Sequence, residues 1–233
     1  MNPFDLELVQ ALNAFAQRSS ALDKAVDLVA NGVIVKGTLV ALGVWIPWQE
    51  AGERGPARRA AVVATLWACL AGIAVSLLLQ KFGPHRILPV QEPSLGFVLP
   101  AGQVLPRDWP SSFPSDHGIM FGALAAGAFA ISRRLGLALS AYTLLLVFLP
   151  RVYLGYHYPT DLLAGAAIGA GLVALAQRPA VREALARAPL RWHARHPATV
   201  NALLFLLTIQ IATVFFEART ILGVIAKNLV HLR

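Results

Sequence analysis

Long apolar runs separated by short polar stretches dominate this chain. A membrane-spanning helix needs about 20 mostly apolar residues. Six segments reach or approach that length: Leu28–Trp48, Ala60–Gln80, Phe113–Ile131, Leu135–Pro150, Pro159–Ala176 and Val200–Ile225. The fourth is short, and the sixth carries Glu217 and Arg219 near its end. Ahead of them, Phe4, Leu6, Leu8, Val9, Leu12 and Phe15 recur at helical spacing, interrupted by Asp5, Glu7, Gln10 and Asn13. This pattern predicts an amphipathic helix lying on a membrane rather than a cleaved leader. The expected fold is all-α: an integral membrane bundle of six transmembrane helices with an amphipathic N-terminal helix. It forms one domain over residues 1–233, with a catalytic core at about 60–177. Two long connections are expected, Lys81–Ser112 and Gln177–Thr199. The first is rich in Pro and Gly and carries Phe82, Phe97 and Trp109. Long structured loops of this kind are often functional.

Composition supports the membrane assignment. Hydrophobic residues make up 57% of the chain and charged residues 14%, against roughly 25% charged in soluble domains. A net charge of +8 would suggest nucleic acid in a soluble protein. Here the arginines fall between apolar runs, so they read as topology signals and nucleic acid is excluded. The connections after the first, third and fifth spans hold Arg54, Arg58, Arg59, Arg133, Arg134, Arg178, Arg182, Arg187, Arg191 and Arg195. The opposite set holds Arg18, Lys24, Lys81, Arg86, Arg107, Arg151, Lys227 and Arg233. The first set is therefore cytoplasmic. The lone Cys69 lies in an apolar run and forms no internal disulfide.

Polar residues collect at one end of the spans. Lys81 and Arg86 follow the second, and Ser115, Asp116 and His117 open the third. Arg151 ends the fourth, and His157 and Asp161 open the fifth. Spans alternate in direction, so these residues share one membrane face. Ionisable groups at membrane depth are costly and functional by default. Their types suit phosphoryl transfer, in which charge spreads over the oxygens on phosphorus. Lys81, Arg86 and Arg151 supply cations, two of them as forks that match phosphate. Pro114 is placed in the first turn of the third span, whose N–H groups can cradle an anion beside the Ser115 hydroxyl. Asp116 joins this phosphate-binding set, or is a helix-start charge stabilised by the dipole. His157 is the expected nucleophile, with the Asp161 carboxylate four residues on fixing its tautomer. His117 is the expected acid, protonating the leaving oxygen and later activating water.

These motifs resemble the type 2 phosphatidic acid phosphatase family, which includes bacterial undecaprenyl-diphosphate phosphatases. Pro114-Ser115-Asp116-His117 matches the Pro-Ser-Gly-His motif, with Asp in place of Gly as in the undecaprenyl-diphosphate branch. Arg151, His157 and Asp161 match the spacing of Ser-Arg-x5-His-x3-Asp, with Pro150 in place of Ser. The Lys-x6-Arg-Pro motif is broken: Lys81 and Pro89 are in register, but Leu88 stands where the Arg belongs and Arg86 lies two residues early. The resemblance covers about Leu28 to Ala176. It implies a metal-independent enzyme without cofactor in a bacterial inner membrane, with its site facing the periplasm or exterior. Its substrate would be a lipid phosphate, undecaprenyl diphosphate first, with phosphatidic acid, phosphatidylglycerol phosphate and lipid A phosphates as alternatives. Rival readings are a metal hydrolase liganded by His117, His157 and Asp161, a serine protease using Ser115, and a lipid transporter with a degenerate site. Tyr153, Tyr156 and Tyr158 read as interfacial aromatics, and His85, His193, His196 and His231 as loop residues. Lys36, inside the first span, reads as a snorkelling or internally paired residue.

Overall fold

The structure is a computed structural model, and it describes residues 2–50, 52–105 and 111–216. The described residues contain helices and no strand. We number the helices α1 (Pro3–Asn13), α2 (Ser20–Asn31), α3 (Val33–Gln49), α4 (Gly55–Phe82), α5 (Asp116–Phe129), α6 (Arg133–Tyr153), α7 (Pro159–Ala176), α8 (Pro179–Arg195) and α9 (Pro197–Ala212). Three of them, α4, α6 and α7, are long and apolar enough to cross a membrane. The pair α2 and α3, bent by 44°, makes a fourth where it is counted as one broken span. The six expected spans are thus three, or four with the bent pair. α5 has 14 residues and α9 has 16, both shorter than expected. The end of the last expected span, with Glu217 and Arg219, lies outside the described residues, as do Arg107, Trp109, Lys227, His231 and Arg233. Outward-facing Trp67, Leu77, Leu78, Leu144, Leu145, Leu163 and Leu175 on the long helices are what a lipid-facing surface requires, and the chain is a multi-pass membrane protein.

Several boundaries differ from the sequence reading for local reasons. The first expected span ran unbroken from Leu28 to Trp48. Instead the chain breaks at Gly32, which is extended (φ −63°, ψ 123°). Pro47 and Pro150 each follow a widened π-turn, Ala41–Trp45 and Thr143–Phe148. A proline lacks an N–H and crowds the carbonyl four residues back, and a wider turn relieves both problems. α6 therefore passes through Pro150 and ends at Tyr153. The third span begins at Asp116 with Ser115 as its cap, so Pro114 precedes the helix rather than opening it. The expected connection Gln177–Thr199 is largely a helix, α8, packed on α4. It is built from strong helix formers, with Glu183 and Arg187 paired one turn apart.

The N-terminal helix forms as α1. Its buried residues are Asp5 and Val9, while Phe4 and Leu8 of the apolar stripe face outward.

α5 and α7 form the most extensive contact in the fold. Glycines make it possible. A Cβ on Gly165 would lie 2.6 Å from the Ser115 carbonyl oxygen, and one on Gly169 would strike the Ile119 carbonyl. Small residues let helix backbones approach this closely. The consequence is positional: the start of α5, with Ser115 to His117, is pressed against the start of α7, with Asp161.

Candidate active site

The two histidines lie together with Asp116. One ligand-type atom from each of Asp116, His117 and His157 falls within 4.8 Å of the others, and all three residues are buried. His117 is held at both ring nitrogens. Its Nδ1 is 2.8 Å from Asp116 Oδ1, and its Nε2 is 2.8 Å from Nη2 of Arg151. A guanidinium only donates, so Nε2 accepts and Nδ1 carries the proton that goes to Asp116. Arg151 is 3% exposed. Its Nη2 also donates to the Ala30 carbonyl at 3.1 Å, while its Nε has no hydrogen-bond partner among the described residues.

His157 opens the turn before α7. Gly155 stands at φ +72° with Val90 and Phe97 against its Cα, a position that admits little but glycine. The turn it makes brings His157 Nδ1 to the Ser112 carbonyl at 2.9 Å. A carbonyl only accepts, so Nδ1 is protonated and the lone pair sits on Nε2. Burial pushes the His157 imidazole down to about 4, so it is neutral at pH 7.

The expected partner of His157, Asp161, is engaged elsewhere. Its Oδ2 accepts from the Tyr158 backbone N–H at 2.9 Å, closing a helix cap, and its Oδ1 accepts from Arg86 at 2.5 Å. The tautomer of His157 is therefore set by a backbone carbonyl rather than by this carboxylate. The Asp161 carbonyl also accepts from the Ser115 N–H at 3.3 Å, so Asp161 ties the start of α7 to the start of α5. Asp116 does for His117 what Asp161 was expected to do for His157. Its carboxylate faces the imidazole and the His117 N–H (2.7 Å) instead of a phosphate.

The residues expected to bind phosphate have partners of their own in the structure. Ser115 Oγ caps α5 by accepting from the Gly118 N–H at 3.2 Å. With the His117 N–H taken by Asp116, two N–H groups of the expected anion cradle are already satisfied. Lys81 is exposed at the end of α4, with Nζ 5.2 Å from the Phe82 ring centroid. Arg86 is spent on carboxylates. It pairs with Asp161 and, at 2.6 Å, with Asp5, and its guanidinium stacks 3.7 Å over Tyr158.

Asp5 is a site residue that the sequence reading missed. It is fully buried and accepts from the Thr160 N–H (2.9 Å), the Thr160 hydroxyl (2.6 Å) and Arg86. Burial acts to raise its carboxyl pKa, and the hydrogen bonds from Arg86 and Thr160 outweigh that and hold it below the usual range. A carboxylate inside an apolar stripe was the available signal. Tyr153, Tyr156 and Tyr158 are buried rather than interfacial. Tyr153 donates to Asp23, Tyr156 donates to Gln103 and lies 5.3 Å from the Arg151 guanidinium, and Tyr158 underlies Arg86.

Below the polar cluster, α5, α6 and α7 enclose an apolar groove of about 670 Å³, lined by Gly122, Ala126, Thr143, Phe148, Ala166 and Ala170 among others.

No solved structure matches the chain. The undecaprenyl-diphosphatase BcrC of Bacillus subtilis (strain 168) is 25% identical over 157 residues, which cover 67% of this chain and 74% of that protein. The family model of the PAP2 superfamily matches residues 60–182. That stretch contains the buried histidine pair, Arg151 and Asp161, and with more than half of its length matched the chain belongs to the PAP2 superfamily.

Proposed function

We propose that this protein hydrolyses a lipid phosphate or diphosphate monoester through a phosphohistidine on His157, with undecaprenyl diphosphate as substrate. One observation carries the reading: two buried histidines lie beside a buried arginine whose Nε has no hydrogen-bond partner among the described residues. A buried guanidinium edge next to two imidazoles suits a phosphate. Family membership supports a lipid phosphatase, and the name of the Bacillus relative points to the diphosphate. The groove beside α5 suits an apolar tail.

In this reading the incoming phosphate takes over Arg151 and so releases Nε2 of His117. Nε2 of His157 attacks phosphorus while the bond to the leaving oxygen breaks. The freed Nε2 of His117 takes the proton of the substrate's acidic phosphate hydroxyl and delivers it to that oxygen, releasing lipid monophosphate from a diphosphate, or alcohol from a monophosphate. His117 then takes a proton from water, whose oxygen attacks phosphorus. The P–N bond breaks and inorganic phosphate leaves. The arginine asymmetry supports a site on the non-cytoplasmic face, in a reading where α5 and α9 complete six spans.

A metal-centred reading draws on the proximity of Asp116, His117 and His157. Both His117 nitrogens are engaged, one of them by a cation, which disfavours a divalent metal. The test is phosphate release by the purified protein from undecaprenyl diphosphate, phosphatidic acid, phosphatidylglycerol phosphate and lipid A phosphate. Release from the first is expected to be fastest, to persist in EDTA and to vanish in His157→Ala. Normal turnover by His157→Ala would refute the mechanism, and loss in EDTA would restore the metal reading.

A further inference from the structure

We infer that Lys36 is a phosphate-binding residue of this site, supplying from α3 a second buried cation beside Arg151. The inference rests on the phosphoryl-transfer reading above.

Lys36 lies in the bent apolar helix pair α2–α3 and is only 6% exposed. A lysine there is costly unless it is paired or used. Among the described residues it makes no ion pair within 4.0 Å. Snorkelling fails as an account, because the side chain is buried in the protein rather than extended to an interface. The break at Gly32 explains where it points. Just before the break, the Ala30 carbonyl holds Arg151. Just after it, the Val35 carbonyl accepts from the Tyr142 hydroxyl at 3.0 Å, which fixes the first turn of α3 against α6. Lys36 is the next residue. Its ammonium lies within electrostatic reach of Arg151, Asp116 and His117.

Charge balance makes the case. In the buried core of the site, Asp116 contributes −1 and Arg151 +1, while both histidines are neutral in the tautomers described above. Lys81 is exposed at the end of α4, and Arg86 answers two carboxylates. Without Lys36 a phosphate carrying one to three negative charges would enter a site of no net charge. With Lys36 the core is net positive, as electrostatic stabilisation of phosphoryl transfer requires. A flexible stem ending in a compact charge can follow the phosphate as it moves from substrate to His157.

The experiment compares wild type, Lys36→Met and Lys36→Arg as purified full-length protein. It measures kcat and KM on undecaprenyl diphosphate, inhibition by orthovanadate, and thermal unfolding. Lys36→Met, similar in volume, is expected to lose about a hundredfold in kcat/KM and at least about tenfold in vanadate affinity. Lys36→Arg should recover most of the vanadate affinity. Wild-type turnover and vanadate affinity in a folded Lys36→Met would overturn the inference and leave the phosphatase reading intact. Absence of phosphate release from the wild type on every lipid phosphate would overturn both. If Lys36→Met does not fold, vanadate-induced thermal shifts of Asp116→Asn and of Lys36→Met/Asp116→Asn decide. A weaker shift in the double variant supports anion binding by Lys36. Equal shifts mean that the lysine only offsets Asp116, and the inference falls.

Discussion

Asp5 ties the N-terminal helix to the site, and its removal gives a sharp test of how the site is held. It is fully buried and accepts three hydrogen bonds from outside its own helix, two from Thr160 and one from Arg86. Asp5→Ala strands the Thr160 backbone N–H and hydroxyl, each costing about 1–3 kcal/mol if buried without a partner. It also breaks a buried ion pair, for which about 3–5 kcal/mol is typical. That second figure must be cut, because the Arg86 side chain is 25% exposed and keeps Asp161. The Thr160 hydroxyl can also turn to another acceptor. The net loss is about 3 kcal/mol, which lowers the unfolding midpoint by about 6–12 °C for a chain of this size. Asp5→Asn keeps one acceptor oxygen and should lose about half as much. The measurement is thermal unfolding of detergent-purified protein, with Arg86→Met and the double variant completing a cycle. Coupling of at least about 1 kcal/mol between the two positions is expected. The Asp5 carboxyl is held below its ordinary pKa, so its contribution is present above the unfolded value and is lost as pH falls through the folded one. The midpoint difference between Asp5→Ala and wild type should therefore shrink in acid. A shift under 2 °C at neutral pH, or strict additivity with Arg86→Met, would refute the argument that this network holds α1, the 80s loop and α7 together.

Other consequences follow from the same geometry. Burial holds His157 near 4 instead of 6.5, so the acid limb of kcat/KM should fall near pH 4, and a limb near 6.5 would contradict the buried, neutral nucleophile. The folded state then binds fewer protons than the unfolded state between those values. His157 should cost stability as pH falls through that window, by about 3 kcal/mol in total, and unfolding midpoints of wild type against His157→Gln across pH 4 to 7 measure it. Gly169→Ala should lower the midpoint and reduce turnover, because its Cβ would meet the Ile119 backbone and part α5 from α7. Gly171→Ala, whose Cβ meets nothing within 4 Å, should be neutral or slightly stabilising through helix propensity. Equal behaviour of the two glycine variants would remove close packing as the device that sets His117 against α7.

The sequence exposed the chemical inventory because phosphoryl transfer needs ionisable residues, and these stand out in apolar runs. Alternating span direction was enough to group His117, Arg151, His157 and Asp161 at one end. It could not show which partner each group would take. Asp161 lies four residues from His157, so sequence proximity suggested a direct contact. The partner is instead the Ser112 carbonyl, a group that every residue carries and that leaves no trace in composition. Asp5 and Arg86 meet across 81 positions, a separation that no local periodicity encodes. The same blindness covers the widened turns before Pro47 and Pro150, where the prolines were visible but the helix's way around them was not.

The two aspartates that flank the histidines thus have partners other than those expected. A carboxylate repels phosphate, and at Asp116 it can serve the reaction only by acting on a neighbouring group. It sits against His117 Nδ1, so it favours the proton there, and in the proposed mechanism it stabilises the imidazolium formed when His117 collects a proton at Nε2. That stabilisation carries a cost: a fixed negative charge beside the phosphate. A second cation near Asp116 offsets this repulsion without taking the carboxylate away from His117. Placed on α3 behind the Gly32 break, Lys36 meets that requirement from a helix outside the family-matched stretch of residues 60–182, which is why motif spacing gave it no role.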